Sequence, residues 1–160
     1  ELPYSGNELA MTVLLPKPDS ILAELEAAIQ ADGIQSILEG LTSIKVDVKL
    51  PRFKFEAELS LNEYLQHLGM TDAFDDNIAD FSGISDTFLY ITHVLHKAFI
   101  EVNEEGTEAA AATAVVVGTK SIRLDLPEIF VADRPFIFLI RDLRTGSILF
   151  MGRMADPLSK

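Results

Sequence analysis

Apolar residues recur along the chain with two spacings, one typical of helices and one typical of strands. Residues 9–15 form a continuous apolar run, which predicts a buried strand. A helical spacing follows and predicts a helix with Asp19 or Ser20 as its N-cap and Gly33 at its end. The stripe that would face the core consists of Ile21, Leu22, Leu25, Ala28 and Ile29. A second, shorter helix is predicted for residues 34–38, which precede another glycine.

The strand pattern changes parity at Pro51. Apolar residues occupy the even positions of residues 44–50 and the odd positions of residues 53–59. Because successive side chains of a strand point to opposite faces, one continuous strand would not bury both sets. The pattern therefore predicts that one strand ends at Pro51 and that another begins after it, in a different sheet or orientation.

The rest of the chain is predicted to contain one more helix and several more strands. These are a helix at residues 61–68 with Ser60 as its cap and Gly69 at its end, loops and single turns at 71–85, a strand at 88–102, and a hairpin at 136–151 that is buried on both faces. The resulting fold class is α+β with several antiparallel strands.

Composition and charge exclude several kinds of protein. The 160 residues include 13 Lys plus Arg and 25 Asp plus Glu, a net charge of −12, which argues against binding to nucleic acid. No apolar run reaches the roughly 20 residues that a membrane span needs, so no membrane partner is predicted. Since the chain has no Cys, it can form neither a disulfide nor a Cys-ligated zinc site. The opening residues 1–7 resemble a strand end and a turn, which suggests the later part of a longer polypeptide.

Candidate chemistry is sparse outside one unusual segment. His93 and His96 would point to opposite faces of a strand, and the acidic residues between 72 and 80 lack the spacing of a calcium loop. No metal, cofactor or catalytic motif is predicted. Residues 104–121 match no ordinary element, because alanines favour a helix and valines favour a strand. By composition alone this segment is an exposed Ala-rich loop or a frayed helix.

Two segments carry a resemblance to a known family. The first consists of Glu104, Glu105, Gly106, Thr107, Glu108, Ala109, Ala110, Ala111 and Ala112, and it resembles the hinge of the reactive-centre loop of inhibitory serpins. The second, residues 130–140, is similar to the serpin signature that follows that loop. The resemblance covers nearly all of residues 1–160 and implies the C-terminal portion of one serpin domain. It would contain the reactive-centre loop at 104–121, and the signature and C-terminal hairpin at 130–154.

The resemblance implies a serine protease inhibitor, not an enzyme, that acts as a suicide substrate. In that family a protease cuts the loop, the loop enters the large sheet as a new strand, and the acyl-enzyme is trapped. The family spacing of fourteen residues from Gly106 places the reactive bond between Lys120 and Ser121. A Lys there implies a trypsin-like protease as the partner. Arg123 is a second candidate specificity residue, and His96 falls in the region where the family's large sheet opens.

Other interpretations stay open at this point. A serpin can instead be a non-inhibitory carrier or chaperone, with Lys120 merely a cleavable loop residue. Alternatively, the chain is a free piece that associates through exposed strands. The hinge composition favours the inhibitor, because the side chains that would turn inward are small or β-branched: Thr107, Ala109, Ala111, Thr113, Val115 and Val117. The family also implies an N-terminal remainder as a partner and an extracellular location, although an intracellular one is left open.

Overall fold

The structure is a computed structural model that describes residues 1–103 and 127–158. These residues form two compact units. The first unit contains Glu1–Phe53 and the described residues from Val102 onward, and the second contains Lys54–Glu101. Within the described ranges, no helix is long and apolar enough to cross a membrane.

The described elements are helices α1 to α3, a single 3₁₀ turn and strands β1 to β8. The helices are α1 (Leu22–Asp32), α2 (Ile34–Glu39) and α3 (Asn62–His67), and the 3₁₀ turn is Asp72–Phe74. The strands are β1 (Leu2–Pro3), β2 (Leu9–Leu14), β3 (Val46–Lys49), β4 (Phe53–Ser60), β5 (Leu95–Val102), β6 (Glu128–Val131), β7 (Phe136–Asp142) and β8 (Ile148–Met154). This mixture of helices and mostly antiparallel strands confirms the predicted fold class.

The first unit is built on an antiparallel sheet with the strand order β1-β2-β7-β8. Strand β7 lies between β2 and β8, and Phe136 and Leu139 are fully buried there. One side of the sheet packs on α1 and α2. The core on that side contains Leu14, Leu22, Leu38, Ile137 and Leu139. The continuous apolar run of β7 is therefore explained, because this strand is covered on both faces.

Strands β3 and β4 lie in different sheets, as the parity change at Pro51 predicts. β3 pairs with β6 in a parallel arrangement that sets Val46 opposite Glu128 and Val48 opposite Phe130. β4 pairs with β5 instead. The prediction of a half-buried strand at residues 44–50 is wrong in part, because Ile44 lies before β3 and is 61% exposed, and Val46 within β3 is 40% exposed.

The predicted helix caps are wrong. The N-cap of α1 is Ile21, which makes no side-chain cap bond and is 64% exposed. The hydroxyl of Ser20 donates to the carboxylate of Glu24 rather than accepting a backbone N–H. Ser60 is the last residue of β4, and α3 follows Leu61 as its N-cap. α1 therefore starts one or two residues later than predicted, since the Ser20 side chain bonds Glu24. α3 starts one residue later than predicted, since Ser60 belongs to β4.

Two strand predictions are also corrected. β5 begins at Leu95 rather than at residue 88. The hairpin of β7 and β8 forms as predicted, with Gly146 at positive φ in its turn, but burial on both faces holds for β7 alone. Among the described residues, β8 has one neighbour in its sheet, and it leaves Leu149 and Met151 about half exposed, at 50% and 56%. An edge strand lacks the second neighbour that would cover its side chains.

Candidate functional site

The structure describes the two strands that flank the candidate site in the sequence. The hinge at 104–112, the bond between Lys120 and Ser121, and Arg123 lie outside the described residues. The described chain reaches this segment through β5 and leaves it through β6. The geometry available for the site is therefore that of these two strands and of the residues that hold them.

β5 lies beside β4 in the second unit, and two side-chain contacts define the arrangement. Lys97 Nζ lies 2.9 Å from Glu58 Oε2, and Lys54 Nζ lies 5.1 Å from the centroid of the Phe99 ring. From the first contact to the second, the β5 residue moves forward in the sequence, from 97 to 99, while the β4 residue moves back, from 58 to 54. The two strands are therefore antiparallel. Both contacts are exposed, so they set the register more than they add stability.

Only one edge of β5 has a strand beside it within the described part of the chain, because β4 and β5 form a two-stranded sheet. The other edge carries the backbone N–H and C=O groups of alternate residues. An edge of this kind can accept a further strand. β6 likewise has one described neighbour, β3, so each strand that adjoins residues 104–121 has one edge without a described strand beside it.

His96 lies on β5, on the face opposite that of Lys97 and Phe99, and it is exposed. Its assignment to a sheet-opening region stays a prediction.

The start of β5 is held by a residue that the sequence analysis missed. The backbone N–H of Leu61 donates to the carbonyl of Val94 at 2.9 Å. Asn62 then uses its side chain: Nδ2 donates to the carbonyl of Thr92 at 2.7 Å, and Oδ1 accepts the N–H of Val94 at 2.8 Å. The only sequence signal was an asparagine at the start of a predicted helix, and that position gave no hint of a partner 30 residues away.

β6 and the residues after it make hydrogen bonds to earlier segments of the first unit. The N–H of Glu128 donates to Lys45 and that of Ala132 donates to Lys49, each at 2.9 Å, which extends the β3–β6 pairing at both ends. Arg134 Nε donates to the carbonyl of Pro16 at 2.8 Å. The end of the segment is thus anchored by backbone pairing and by one long-range side-chain bond.

Two carboxylates with lowered pKa values support the sheet that contains β7. Burial by itself would raise the pKa of Glu1, but hydrogen bonds from Arg141 and Thr12 and the charge of Arg141 outweigh it and lower the pKa. The side chain of Arg144 and the backbone N–H groups of Arg144 and Thr145 lower the pKa of Asp142 to about 2. Both carboxylates are therefore charged at neutral pH and bind their partners as acceptors.

The acidic residues between 72 and 80 serve local turns. Asp75 Oδ1 accepts the N–H of Asn77 at 2.8 Å, and Asp80 Oδ1 accepts the N–H of Ser82 at 3.0 Å. Hydrogen bonds from Ser82 lower the pKa of Asp80. Over residues 1–103 and 127–158, no three His, Asp or Glu side chains come together as metal ligands would.

Comparison with known proteins identifies the family. The family model described as "Serpin (serine protease inhibitor)" matches residues 1–157. The chain is 49% identical over 160 residues to Serpin B8 of Bos taurus, with 98% of this chain and 42% of the relative covered. It is 40% identical over 163 residues to antithrombin-III of Homo sapiens, with 100% of this chain and 35% of the relative covered.

A solved structure gives the same result. The crystal structure of native protease nexin-1 with heparin matches with a TM-score of 0.76 and 35% identity over 97% of this chain and 40% of that one. The chain spans about two fifths of the length of Serpin B8, at 42%. The match over residues 1–157, together with these identities, shows that the chain belongs to the serpin family of serine protease inhibitors.

Proposed function

We propose that the protein inhibits a trypsin-like serine protease as a suicide substrate, with residues 104–121 as its reactive-centre loop. One observation carries the proposal beyond the family. The strand that leads directly into this segment is β5, and no described strand lies along its second edge. A cleaved loop that folds back on β5 would add to that edge as the next antiparallel strand.

The proposed reaction begins as ordinary proteolysis. The serine of the protease attacks the carbonyl carbon of Lys120, the bond to the nitrogen of Ser121 breaks, and the protonated amine leaves. Lys120 stays on the protease as an ester. Its cationic side chain fits the acidic specificity pocket of trypsin-like enzymes.

Loop insertion then makes the trap. Adding about twelve residues to a strand edge contributes on the order of 10 kcal/mol, if each new backbone hydrogen bond nets about 1 kcal/mol. The fourteen steps from Gly106 to Lys120 carry the acylated protease roughly 46 Å at about 3.3 Å per residue. Distortion that removes one oxyanion-hole donor slows deacylation by about 10²–10³. The ester therefore persists.

Two partners belong to the proposal. One is the trypsin-like protease, joined covalently through Lys120. The other is an N-terminal remainder of the same serpin, which would supply the strands on the far side of the inserted loop. An extracellular location stays a prediction from the family resemblance.

The first test mixes the complete natural protein with trypsin and separates the products on a denaturing gel. We expect a band at the summed mass and, by mass spectrometry, a released peptide that begins at Ser121. Lys120→Ala should abolish both, whereas Arg123→Ala should change neither. A peptide that begins at residue 124 would instead assign the specificity residue to Arg123.

A second pair of variants tests insertion. Ala111→Glu places a charge at a position that would face inward, and Ala110→Glu places the same charge at an outward position without adding a cleavage site for trypsin. We expect Ala111→Glu to be cut without forming the covalent band, and Ala110→Glu to form it. Cleavage of the natural protein with no covalent band and no gain in heat stability would contradict inhibition and favour a carrier or chaperone.

A further inference from the structure

We infer that Arg134 is a positioning residue whose guanidinium replaces a backbone N–H that Pro135 lacks, and that this bond latches the crossing from β6 to β7. The inference concerns contacts within the first unit and does not depend on the proposed function. Residues 132–135 connect β6, which pairs with β3, to β7, which pairs with β2. The chain therefore passes from one sheet to another over four residues.

The register of β2 and β7 shows which of their residues exchange hydrogen bonds. The two strands pair antiparallel, with Leu14 opposite Ile137 at one end. Just beyond the other end, the N–H of Leu143 donates to the carbonyl of Glu8 at 2.8 Å. Because hydrogen-bonded pairs alternate along an antiparallel ladder, the even-numbered residues of β2 form the hydrogen-bonded pairs.

The next position of this kind sets Pro16 opposite Pro135. Neither residue has an N–H, so the two backbones cannot form a hydrogen bond there. Pro16 is buried, and a buried carbonyl without a donor is costly. Arg134 Nε donates to this carbonyl at 2.8 Å. The side chain of Arg134 thus supplies the hydrogen bond that a residue with an N–H at position 135 would make.

The guanidinium is also held by its neighbour in the sequence. Arg134 Nη1 lies 3.0 Å from Asp133 Oδ1, and the Arg134 side chain is 30% exposed. This ion pair orients the charged end of the side chain, while Nε donates to Pro16. The bond from Nε joins residues that are 118 positions apart. It therefore forms only when the crossing from β6 to β7 lies against the end of β2.

β6 is the strand that this latch would hold in place. It has four residues and one described neighbour, the parallel strand β3, and its Ile129 is 71% exposed. A short parallel pair of two strands is weak by itself. Its last hydrogen bond, from the N–H of Ala132 to the carbonyl of Lys49 at 2.9 Å, lies two residues before Arg134. Separation of β6 from β3 should therefore require the bond from Arg134 to Pro16 to break.

The test measures residue-resolved hydrogen exchange in the complete natural protein and in matched variants. Arg134→Met removes the donor and keeps the aliphatic part of the side chain. Arg153→Met is the control, because Arg153 Nε lies 3.2 Å from Glu26 Oε1 and the Arg153 side chain is 61% exposed. The rescue variant combines Arg134→Met with Pro135→Ala, which restores a backbone N–H opposite Pro16.

In the natural protein we expect the N–H of Ala132 to exchange faster than that of Leu139, which is fully buried in β7, because β6 opens without unfolding of the sheet. Arg134→Met should speed exchange at Ala132 by about tenfold or more, since the closed state then leaves the buried carbonyl of Pro16 without its donor. Arg153→Met should leave the rate unchanged. The rescue variant should return it toward the natural rate.

Three results would overturn the inference. The first is unchanged exchange at Ala132 in Arg134→Met, even with faster exchange at Leu139, because the bond would then stabilise the fold without holding β6. The second is a rescue variant that exchanges as fast as Arg134→Met. The third is equal exchange at Ala132 and Leu139 in the natural protein. If Arg134→Met does not fold, folding of the rescue variant supports the inference, and failure of both variants to fold overturns it.

Discussion

Asp142 shows how one residue can hold a turn. Its Oδ1 accepts the backbone N–H groups of Arg144 and Thr145 at 2.8 and 3.1 Å, and its Oδ2 lies 3.1 Å from Arg144 Nη2. These bonds close the turn between β7 and β8, beside Gly146 at φ 75°. They favour the charged carboxylate, which is why the pKa of Asp142 is lowered to about 2.

A pH dependence follows from this shift. The folded pKa is about 2, below the ordinary value of 3.8, so the stabilisation is present above pH 4 and is lost as the pH falls toward 2. Asn keeps an acceptor for the two N–H groups but cannot titrate. We expect thermal midpoints of the natural protein and Asp142→Asn to converge between pH 4 and pH 2. A constant difference over that range would contradict the prediction.

At the scale of elements, the pairing of β7 with β8 depends on a glycine. Phe138 lies opposite Gly152 in the register, and its buried ring also packs on Phe53 with ring centroids 5.1 Å apart. A Cβ on Gly152 would lie 2.1 Å from the Phe138 ring. The ring fills the space that any other residue at position 152 would need.

Gly152→Ala should therefore destabilise the protein by about 1–3 kcal/mol, the usual cost of overpacking a core. Gly40→Ala is the control, because Gly40 has φ −79° and its added Cβ would meet only an ordinary contact at 3.5 Å. Urea unfolding followed by circular dichroism measures both. Equal midpoints for the two variants would show that the Phe138 ring can move aside.

At the scale of the whole molecule, apolar side chains remain exposed on strands of both units. The large ones exposed by more than a third on β4, β5 and β8 are Leu59, Leu95, Phe99, Ile148, Leu149, Phe150 and Met151. Apolar surface beside open strand edges favours association. The exposed side chains fit the proposal that further parts of a serpin cover these strands.

We therefore expect the 160-residue chain by itself to associate through these strands. Size-exclusion chromatography with light scattering, run over a range of concentrations, should show species larger than 17.6 kDa that grow with concentration. The complete natural protein, measured in the same way, is the control and should show no such growth. A 160-residue chain that stays monomeric at every concentration would contradict this prediction.

Local patterns in the sequence were sufficient for most elements and for the family. Continuous apolar runs placed β2 and β7, alternation placed β4, the parity change at Pro51 separated β3 from β4, and glycines ended α1 and α2. These signals work because side-chain alternation, and the positive φ of a residue such as Gly33, depend on neighbouring residues alone. The hinge and signature segments sufficed to identify the family, while the residues of the reactive bond rest on family spacing.

The tertiary structure decided whatever depends on a distant partner. The sequence could not show that β8 would lie at the edge of the sheet formed by the described strands, since its apolar run matches that of the buried β7. Nor could it place Asn62 beside Thr92, because that contact depends on β4 and β5 pairing first. Burial and long-range hydrogen bonds arise only when separate elements pack together. A local sequence pattern does not determine which elements those are.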